Sequence, residues 1–320
     1  MNEIKVSVWM TAYNHGRYIS ACLDSVLAQK TNFDFEIVLG EDCSTDNTRE
    51  IVREYADKHP GKFKLFLPEK NLGMMEMDVA THGLCSGEYL ALLNGDDYWT
   101  DENKLQTQFD FLEENKDTVM CYHKALVINE DTGYEFETVY PESGEELTAE
   151  YLLKGYNPVM TPTVMVRNVV SIPEFYSGMP YGDMLLYLLL SQKGKMRYID
   201  RLMSVYRIHS SGQWQGETVY NNILKDLKFY EVMNKELDFK YDDNIKKIFA
   251  QRYFDLILAD IKNNNKESAL NFMNKLEQTD KEFIDDNINE IHTLKNILLD
   301  KESKKNHSEL LNREPKWKVN

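Results

Sequence analysis

Two adjacent carboxylates, Asp96 and Asp97, stand directly after a short apolar run, Tyr89 to Leu93, that stops at Asn94-Gly95. Hard oxygen donors in such a pair suit Mg²⁺ or Mn²⁺, which bridge a few carboxylates to substrate phosphates. Ordinary turn chemistry also places Asp at such positions, so the weight of the pair depends on its company. Two earlier apolar runs end in polar clusters as well. Thr11 and Tyr13 offer a hydroxyl and an aromatic face, while Glu41 and Asp42 offer acceptors for ribose hydroxyls or a base N–H. Further on, Asp183 opens an apolar stretch, Met184 to Leu190, where an N-cap role would account for it.

The elements that must position these residues follow from periodicity. Val6 to Met10, Phe35 to Leu39, Phe63 to Leu67 and Tyr89 to Leu93 are apolar, β-rich runs. Between them, Ile19, Cys22, Leu23, Val26 and Leu27, then Ile51, Val52 and Tyr55, recur at helical spacing, and a further helix is expected over Val79 to Leu84. Strand–helix alternation of this regularity predicts a parallel, doubly wound α/β sheet. Such sheets bind ligands beyond the carboxyl ends of their strands, where the polar clusters fall. Ser44 to Asp46 are read as loop residues that cap the next helix. Val119–Cys121, Ala125–Ile128, Thr161–Val166 and Met203–Ser211 are further strand candidates, and residues 129–147, with Gly133 and Gly144, a hairpin or loop. From Glu217 the spacing is helical and Gly disappears after Gly216, which predicts a C-terminal region of three to five helices.

The 320 residues carry 37 Lys and Arg against 53 Asp and Glu, a net charge of −16. The imbalance is concentrated: residues 1–214 hold 19 basic and 33 acidic side chains, whereas residues 215–320 hold 18 and 20. An acidic surface repels nucleic-acid backbones, so no nucleic-acid partner is expected. It would also repel a phosphorylated substrate unless a cation reverses the local sign, which favours the metal reading of Asp96 and Asp97. Four scattered cysteines without Cys-x-x-Cys spacing suggest neither a zinc site nor a disulfide framework. No apolar run reaches the length of a membrane span, and Met1 to Lys5 lack a signal-peptide core, so a cytoplasmic protein is expected. The last twenty residues are net +3 and contain Trp317, a candidate contact with an anionic membrane surface.

Val6-Ser7-Val8 through Thr11-Ala12-Tyr13-Asn14, and the helix ending Ser25-Val26-Leu27-Ala28-Gln29, resemble the start of family 2 glycosyltransferases with the GT-A fold. Glu41-Asp42-Cys43-Ser44-Thr45-Asp46 resembles that family's Asp-Asp-Gly-Ser-x-Asp segment, and Asn94-Gly95-Asp96-Asp97 its metal-binding Asp-x-Asp-Asp. Asn71-Leu72-Gly73 and Gly87-Glu88-Tyr89 match in order and spacing, and the resemblance spans roughly residues 4–212. Three positions depart from the pattern. Glu41 replaces an Asp, and Cys43 replaces a Gly, so no positive φ is expected there. Asn94 replaces the first Asp of the metal motif, which leaves coordination to Asp96 and Asp97 and frees Asn94 for a ribose hydroxyl.

The resemblance implies a GT-A, Rossmann-like, mostly parallel twisted sheet flanked by helices over residues 1–214, with an all-α extension over 215–320. It implies an inverting enzyme that moves a sugar from a nucleotide-diphosphate sugar, UDP-linked, to a hydroxyl of a saccharide or lipid-linked acceptor in surface polysaccharide synthesis. Asp183 would be the catalytic base, kept ionised by the helix dipole. Thr11, Tyr13, Asn14, Glu41, Asp42, Asn71, Asn94 and Arg207 would bind the nucleotide sugar. Asp96, Asp97 and His209 would hold Mn²⁺ or Mg²⁺. His15, His82 and His123 have no such context and are read as structural or surface residues. The Gln-x-x-Arg-Trp mark of processive members is absent, which points to single transfers. Peripheral contact with the inner face of the cell membrane and a homodimer through the C-terminal helices are further expectations. A nucleotidyltransferase is the rival enzyme, although Thr11 to Arg17 is not a Gly-rich basic phosphate loop. A non-catalytic binder with a decayed site is the other alternative.

Overall fold

The first four strands alternate with helices because each apolar run is flanked by a turn and an amphipathic segment. In the computed structural model, which describes residues 3–140, 146–155, 157–210, 218–299 and 307–313, the order is β1 (Ile4–Ala12), α1 (Ile19–Leu27), β2 (Asp34–Glu41), α2 (Thr48–Lys58), β3 (Phe63–Phe66), α3 (Met74–His82) and β4 (Tyr89–Asn94). There follow β5 (Tyr98–Trp99), α4 (Lys104–Glu114), β6 (Thr118–Asn129), β7 (Glu135–Glu137), α5 (Ala149–Leu152), β8 (Met165–Arg167), α6 (Gly182–Leu190) and β9 (Lys195–Ile208). The nine strands form one sheet in the order β3-β2-β1-β4-β8-β6-β9-β5, with β7 beside β6.

The β3-β2-β1-β4 part is parallel throughout. Beyond β4 the sheet is mixed: β8 runs antiparallel to β4 and β6, while β9 runs parallel to β6 and antiparallel to β5. From β1 the chain first winds outward to β2 and β3, then returns to place β4 on the other side. Ligand crevices open at such reversals. β1, β2 and β4 are buried on both faces, which explains their continuous apolar runs. Val8, Met10, Leu23, Ile37, Leu39, Ala91 and Leu93 belong to the core beneath α1 and α2.

Several predicted boundaries change. The two short strand candidates around Val119 and Ala125 are one strand, β6, bent by register shifts against β9 at His123–Ala125. The strand expected over Thr161–Val166 is a 3₁₀ turn, Thr161–Thr163, followed by β8. The helix expected over Val79–Leu84 begins at Met74, because Gly73 at φ +89° turns the chain just before it. Residues 129–140 form the β6–β7 hairpin; Gly144 of the predicted loop lies outside the described residues.

The chain divides into two units, one of residues 1–149 and 157–215, the other of 150–156 and 216–320. The predicted boundary at 214/215, and the tail with Trp317, lie outside the described residues. The second unit contains α7 (Val219–Glu236), α8 (Asp242–Lys262), α9 (Lys266–Thr279), α10 (Lys281–Asp286), α11 (Ile288–Leu298) and α12 (Ser308–Leu311). Its core gathers Ile223, Phe254, Ile257, Leu276 and Leu294. Six helices among the described residues exceed the expected three to five, since α10 and α12 are too short to carry a periodic signal. No described helix is long and apolar enough to cross a membrane.

Candidate active site

Parallel pairing aligns Thr11 of β1 with Asn94 of β4 and with Gly40 of β2, so the three strands deliver their loops to one edge. A cavity of about 580 Å³ opens there. The strand ends contribute Thr11, Tyr13, Asn94 and Asp96; the loops after β2 and β3 contribute Asp42 and Asn71; α3 contributes Met77 and Asp78. Asp183 at the start of α6, and Arg207, Ile208 and His209 around the end of β9, complete the wall. Asn14, Glu41 and Asp97, expected in the site, do not line the cavity.

Asp96 is the centre of one end. Its Oδ2 lies 3.2 Å from His209 Nε2 and 3.6 Å from His15 Nε2. Its Oδ1 is buried and has no hydrogen-bond partner among the described residues. Burial pushes the Asp96 carboxyl up, but His15 and His209 outweigh it and hold the group below its usual range. His15, expected to be structural, is instead a wall residue, and burial pushes its imidazole down, toward the neutral form. The neighbouring Asp97 is fully buried. Its Oδ1 accepts from Arg207 N at 2.8 Å and so braces β9, while its Oδ2 is buried with no hydrogen-bond partner among the described residues. Burial, and then the Asp96 charge, push the Asp97 carboxyl well up.

An orphaned carboxylate oxygen beside two imidazoles fits a divalent cation. Among the described residues no three His, Cys, Asp or Glu side chains close into a ready-made metal cage. Donors from a bound substrate and water would have to complete the shell, as is usual for Mg²⁺ beside phosphates.

Arg207 lies over the rings of Tyr98 and Tyr18, at 4.4 and 5.1 Å, and donates from Nε to Glu130 at 3.0 Å and from Nη1 to the Asp96 carbonyl at 2.6 Å. Its charge is thus half-committed to Glu130 while it fixes the backbone of Asp96.

The loops after β1 and β2 are tied to each other. Asn14 donates from its backbone to Ser44 Oγ, and its Oδ1 accepts from Thr45 N, both at 2.8 Å. Glu41 is fully buried, ion-paired to Arg49, and accepts from Ser44 N. Both therefore build the loop rather than line it. Asp46 accepts from Thr48 N at the start of α2 and from Gly16 N, whereas Ser44 and Thr45 bond Asn14, so of the three residues expected to cap the helix only Asp46 reaches it, and the N-cap position is Asn47. Asp42 lines the cavity, but its two oxygens accept from Leu72 N and Gly73 N at 2.7 and 2.8 Å, and Asn71 Nδ2 donates to its carbonyl. Cys43 adopts φ +56°, against the expectation that loss of the Gly removes the left-handed conformation. The pinned neighbours Asp42 and Ser44 hold the turn, and the cysteine bears the strain.

At the other end, α6 starts at Gly182 with Tyr181 as its N-cap, so Asp183 sits inside the first turn rather than at the cap. Its Oδ1 accepts from Met184 N and its Oδ2 from Asn157 Nδ2, both at 2.7 Å. Burial pushes its carboxyl up, so the dipole does not keep it at the low value expected. A raised carboxyl is the stronger base. Asp78, beside it, is pushed up to about 7 by burial, with the Asp183 charge acting in the same direction. Nothing in the sequence marks Asp78, which lies mid-helix; His15 had a signal, since it follows Tyr13 and Asn14 in the loop after β1.

One wall thus offers hydroxyl, aromatic and carboxylate groups at the ends of parallel strands, a second a carboxylate between imidazoles, a third the half-buried Asp183 carboxyl. Comparison with known proteins places this arrangement. An uncharacterised protein of Mycobacterium tuberculosis is 33% identical over 209 residues, 65% of this chain and 60% of that one. This chain therefore matches less than two thirds of that relative's length. An Escherichia coli UDP-Glc:alpha-D-GlcNAc-diphosphoundecaprenol beta-1,3-glucosyltransferase is 28% identical over 71% of this chain and 84% of its own. The crystal structure of residues 1–349 of Staphylococcus aureus TarS in complex with UDP-GlcNAc superposes with a TM-score of 0.59, at 18% identity, over 88% of this chain and 83% of that one, which shows a shared fold. Residues 7–169, from β1 through β8, match the family described as Glycosyl transferase family 2. With the strand-end cavity and its carboxylates inside or just beyond that stretch, the chain belongs to glycosyl transferase family 2.

Proposed function

We propose that this protein is an inverting, metal-dependent glycosyltransferase that moves a sugar from a UDP-sugar to a hydroxyl of a saccharide or lipid-linked acceptor in the synthesis of a surface polysaccharide. The observation that supports the reading is the presence in one cavity of a half-buried carboxyl whose acidity burial weakens, Asp183, and a carboxylate, Asp96, one of whose oxygens has no hydrogen-bond partner among the described residues. Tyr13, 41% exposed at the rim, is assigned to the base, and Thr11, Asn71 and Asn94 to the ribose. Asp96 and His209, with His15 adjacent, would hold Mn²⁺ or Mg²⁺. When bound, the cation neutralises charge on the departing diphosphate.

Asp183 takes the proton from the acceptor hydroxyl as that oxygen forms its bond to the anomeric carbon. The bond from that carbon to the diphosphate oxygen breaks on the opposite face, and the nucleoside diphosphate leaves with the electron pair. Asn157 and Met184 N fix the direction of the carboxylate. Arg207 fixes the loop that carries Asp96.

Residues 1–214 are taken as the catalytic region and 215–320 as a helical appendage. Contact with the inner face of a membrane and dimerisation through the C-terminal helices belong to the same proposal; flotation with anionic vesicles and light scattering test them. Asp183→Asn tests the chemistry. A loss of about 10²–10⁴ in kcat is expected, the usual worth of a positioned base, with UDP affinity within about twofold of wild type. Equal turnover in both proteins would remove Asp183 from the role.

A further inference from the structure

The assigned groups leave one carboxyl of the cavity without a task. Asp78 lies one turn past Met74, the first residue of α3, on the wall entered through the Asn71–Gly73 segment. Its Oδ2 accepts from Tyr176 Oη at 3.1 Å, and it makes no other hydrogen bond among the described residues. Both oxygens of neighbouring Asp183 already accept a bond, whereas Asp78, which also lines the cavity, has a bond to only one of its carboxyl oxygens among the described residues. The placement is built rather than incidental. A Cβ at Gly182 would collide with Tyr176 Oη and come within 2.9 Å of Asp78 Oδ2, so the glycine at the start of α6 makes room for this pair. Met77 and Leu186 give the adjoining wall an apolar surface.

A carboxyl that braces no backbone, in a site where burial pushes it up to about 7, costs stability. Its chemistry suits a neutral polyol. One oxygen is anchored by a phenol and the other is open to accept from a hydroxyl, while the flanking apolar surface accommodates C–H faces. Such a group would repel a phosphate, so it belongs to the sugar and not to the diphosphate. Asp78 stands on α3, which directly follows the Leu72 and Gly73 amides that hold Asp42, on the wall assigned above to the nucleotide, and that places it on the donor side of the proposed site.

We propose that Asp78, anchored by Tyr176, is the specificity-determining residue for the transferred sugar and accepts a hydrogen bond from one of its ring hydroxyls. The inference rests on the glycosyltransferase reading above and deepens it. A cycle between side chain and hydroxyl isolates the contact. Full-length wild type and Asp78→Asn are titrated by calorimetry, with Mn²⁺, against UDP, UDP-glucose, UDP-galactose and UDP-GlcNAc, then against deoxy forms of the donor that wild type binds most tightly. Removal of the recognised hydroxyl should weaken wild type about tenfold and Asp78→Asn less than twofold, with UDP itself bound alike by both. Tyr176→Phe, which frees the anchored oxygen, should give an intermediate loss for the same deoxy donor. Equal losses in wild type and Asp78→Asn for every deoxy donor overturn the assignment of Asp78 while the parent reading stands. Absence of any UDP or UDP-sugar binding to wild type overturns both.

Discussion

Asp78 and Asp183 are two carboxyls of one cavity with different surroundings, and that difference makes a pH prediction. A folded-state value of about 7 for Asp78, above that of the unfolded chain, means the folded protein binds the extra proton between about pH 4 and 7. Its contribution to stability is therefore complete below about pH 4 and lost as pH rises through 7. Asp183, raised by burial, acts with the same sign. Asp78→Asn should flatten this slope, with melting temperatures similar at pH 4 and a gain of ~1–2 kcal/mol for the variant at pH 8, after allowance for solvent screening. Identical slopes from pH 5 to 8 would contradict the buried placement of Asp78. The stretch around Asp96 was readable from sequence because an apolar run delivers the carboxylate to a strand end. The task of Asp97 was not, since only the β5–β9 pairing brings Arg207 N to it.

At the scale of elements, the polar clusters after β1 and β2 act as one unit because side chains of each loop cap the other. Sequence reasoning assigned Asn14 and Glu41 to ligand because their types suit it; the hydrogen-bond partners that occupy them come from segments about thirty and three to eight residues away. In the helical unit, one buried ion pair does similar work. Arg252 of α8 donates from Nε to Asp226 of α7 at 2.7 Å and from Nη2 to the Gly155 carbonyl at 2.9 Å. Removing one member of a buried ion pair costs about 3–5 kcal/mol. Arg252→Ala should lower the urea midpoint accordingly, and Arg252→Met together with Asp226→Leu should recover most of the loss. A single variant as stable as wild type would show that the pair is solvated in solution.

For the whole molecule, the acidic charge of residues 1–214 sets the terms on which it meets a diphosphate. On the proposed reading, that repulsion is reversed locally, by a cation that Asp96 would hold. UDP should therefore raise the melting temperature more with Mn²⁺ than with EDTA, and Asp96→Asn should abolish that difference; at neutral pH it should also lower the stability of the metal-free protein, because the folded state holds the Asp96 carboxyl below its usual range through His15 and His209. An equal UDP effect with and without Mn²⁺ would count against Asp96 as a ligand.

Periodicity and turn residues by themselves determined the α/β alternation, the switch from sheet to helices, and the carboxylates at the strand ends, because these depend on neighbours within about ten residues. Five ordered motifs added the family. Only the tertiary structure decided which of those side chains face the cavity. Thr11, Asp42, Asn94, Asp96, Asp183 and His209 line it; Asn14 and Glu41 are spent on the backbone and side chains that hold it, and Asp97 braces β9 beside it; His15 and Asp78 join it unannounced. A polar side chain has the same sequence signature whether its partner is a loop amide or a substrate. The choice is made by segments that meet only when β1, β4 and β9 are brought together in one sheet.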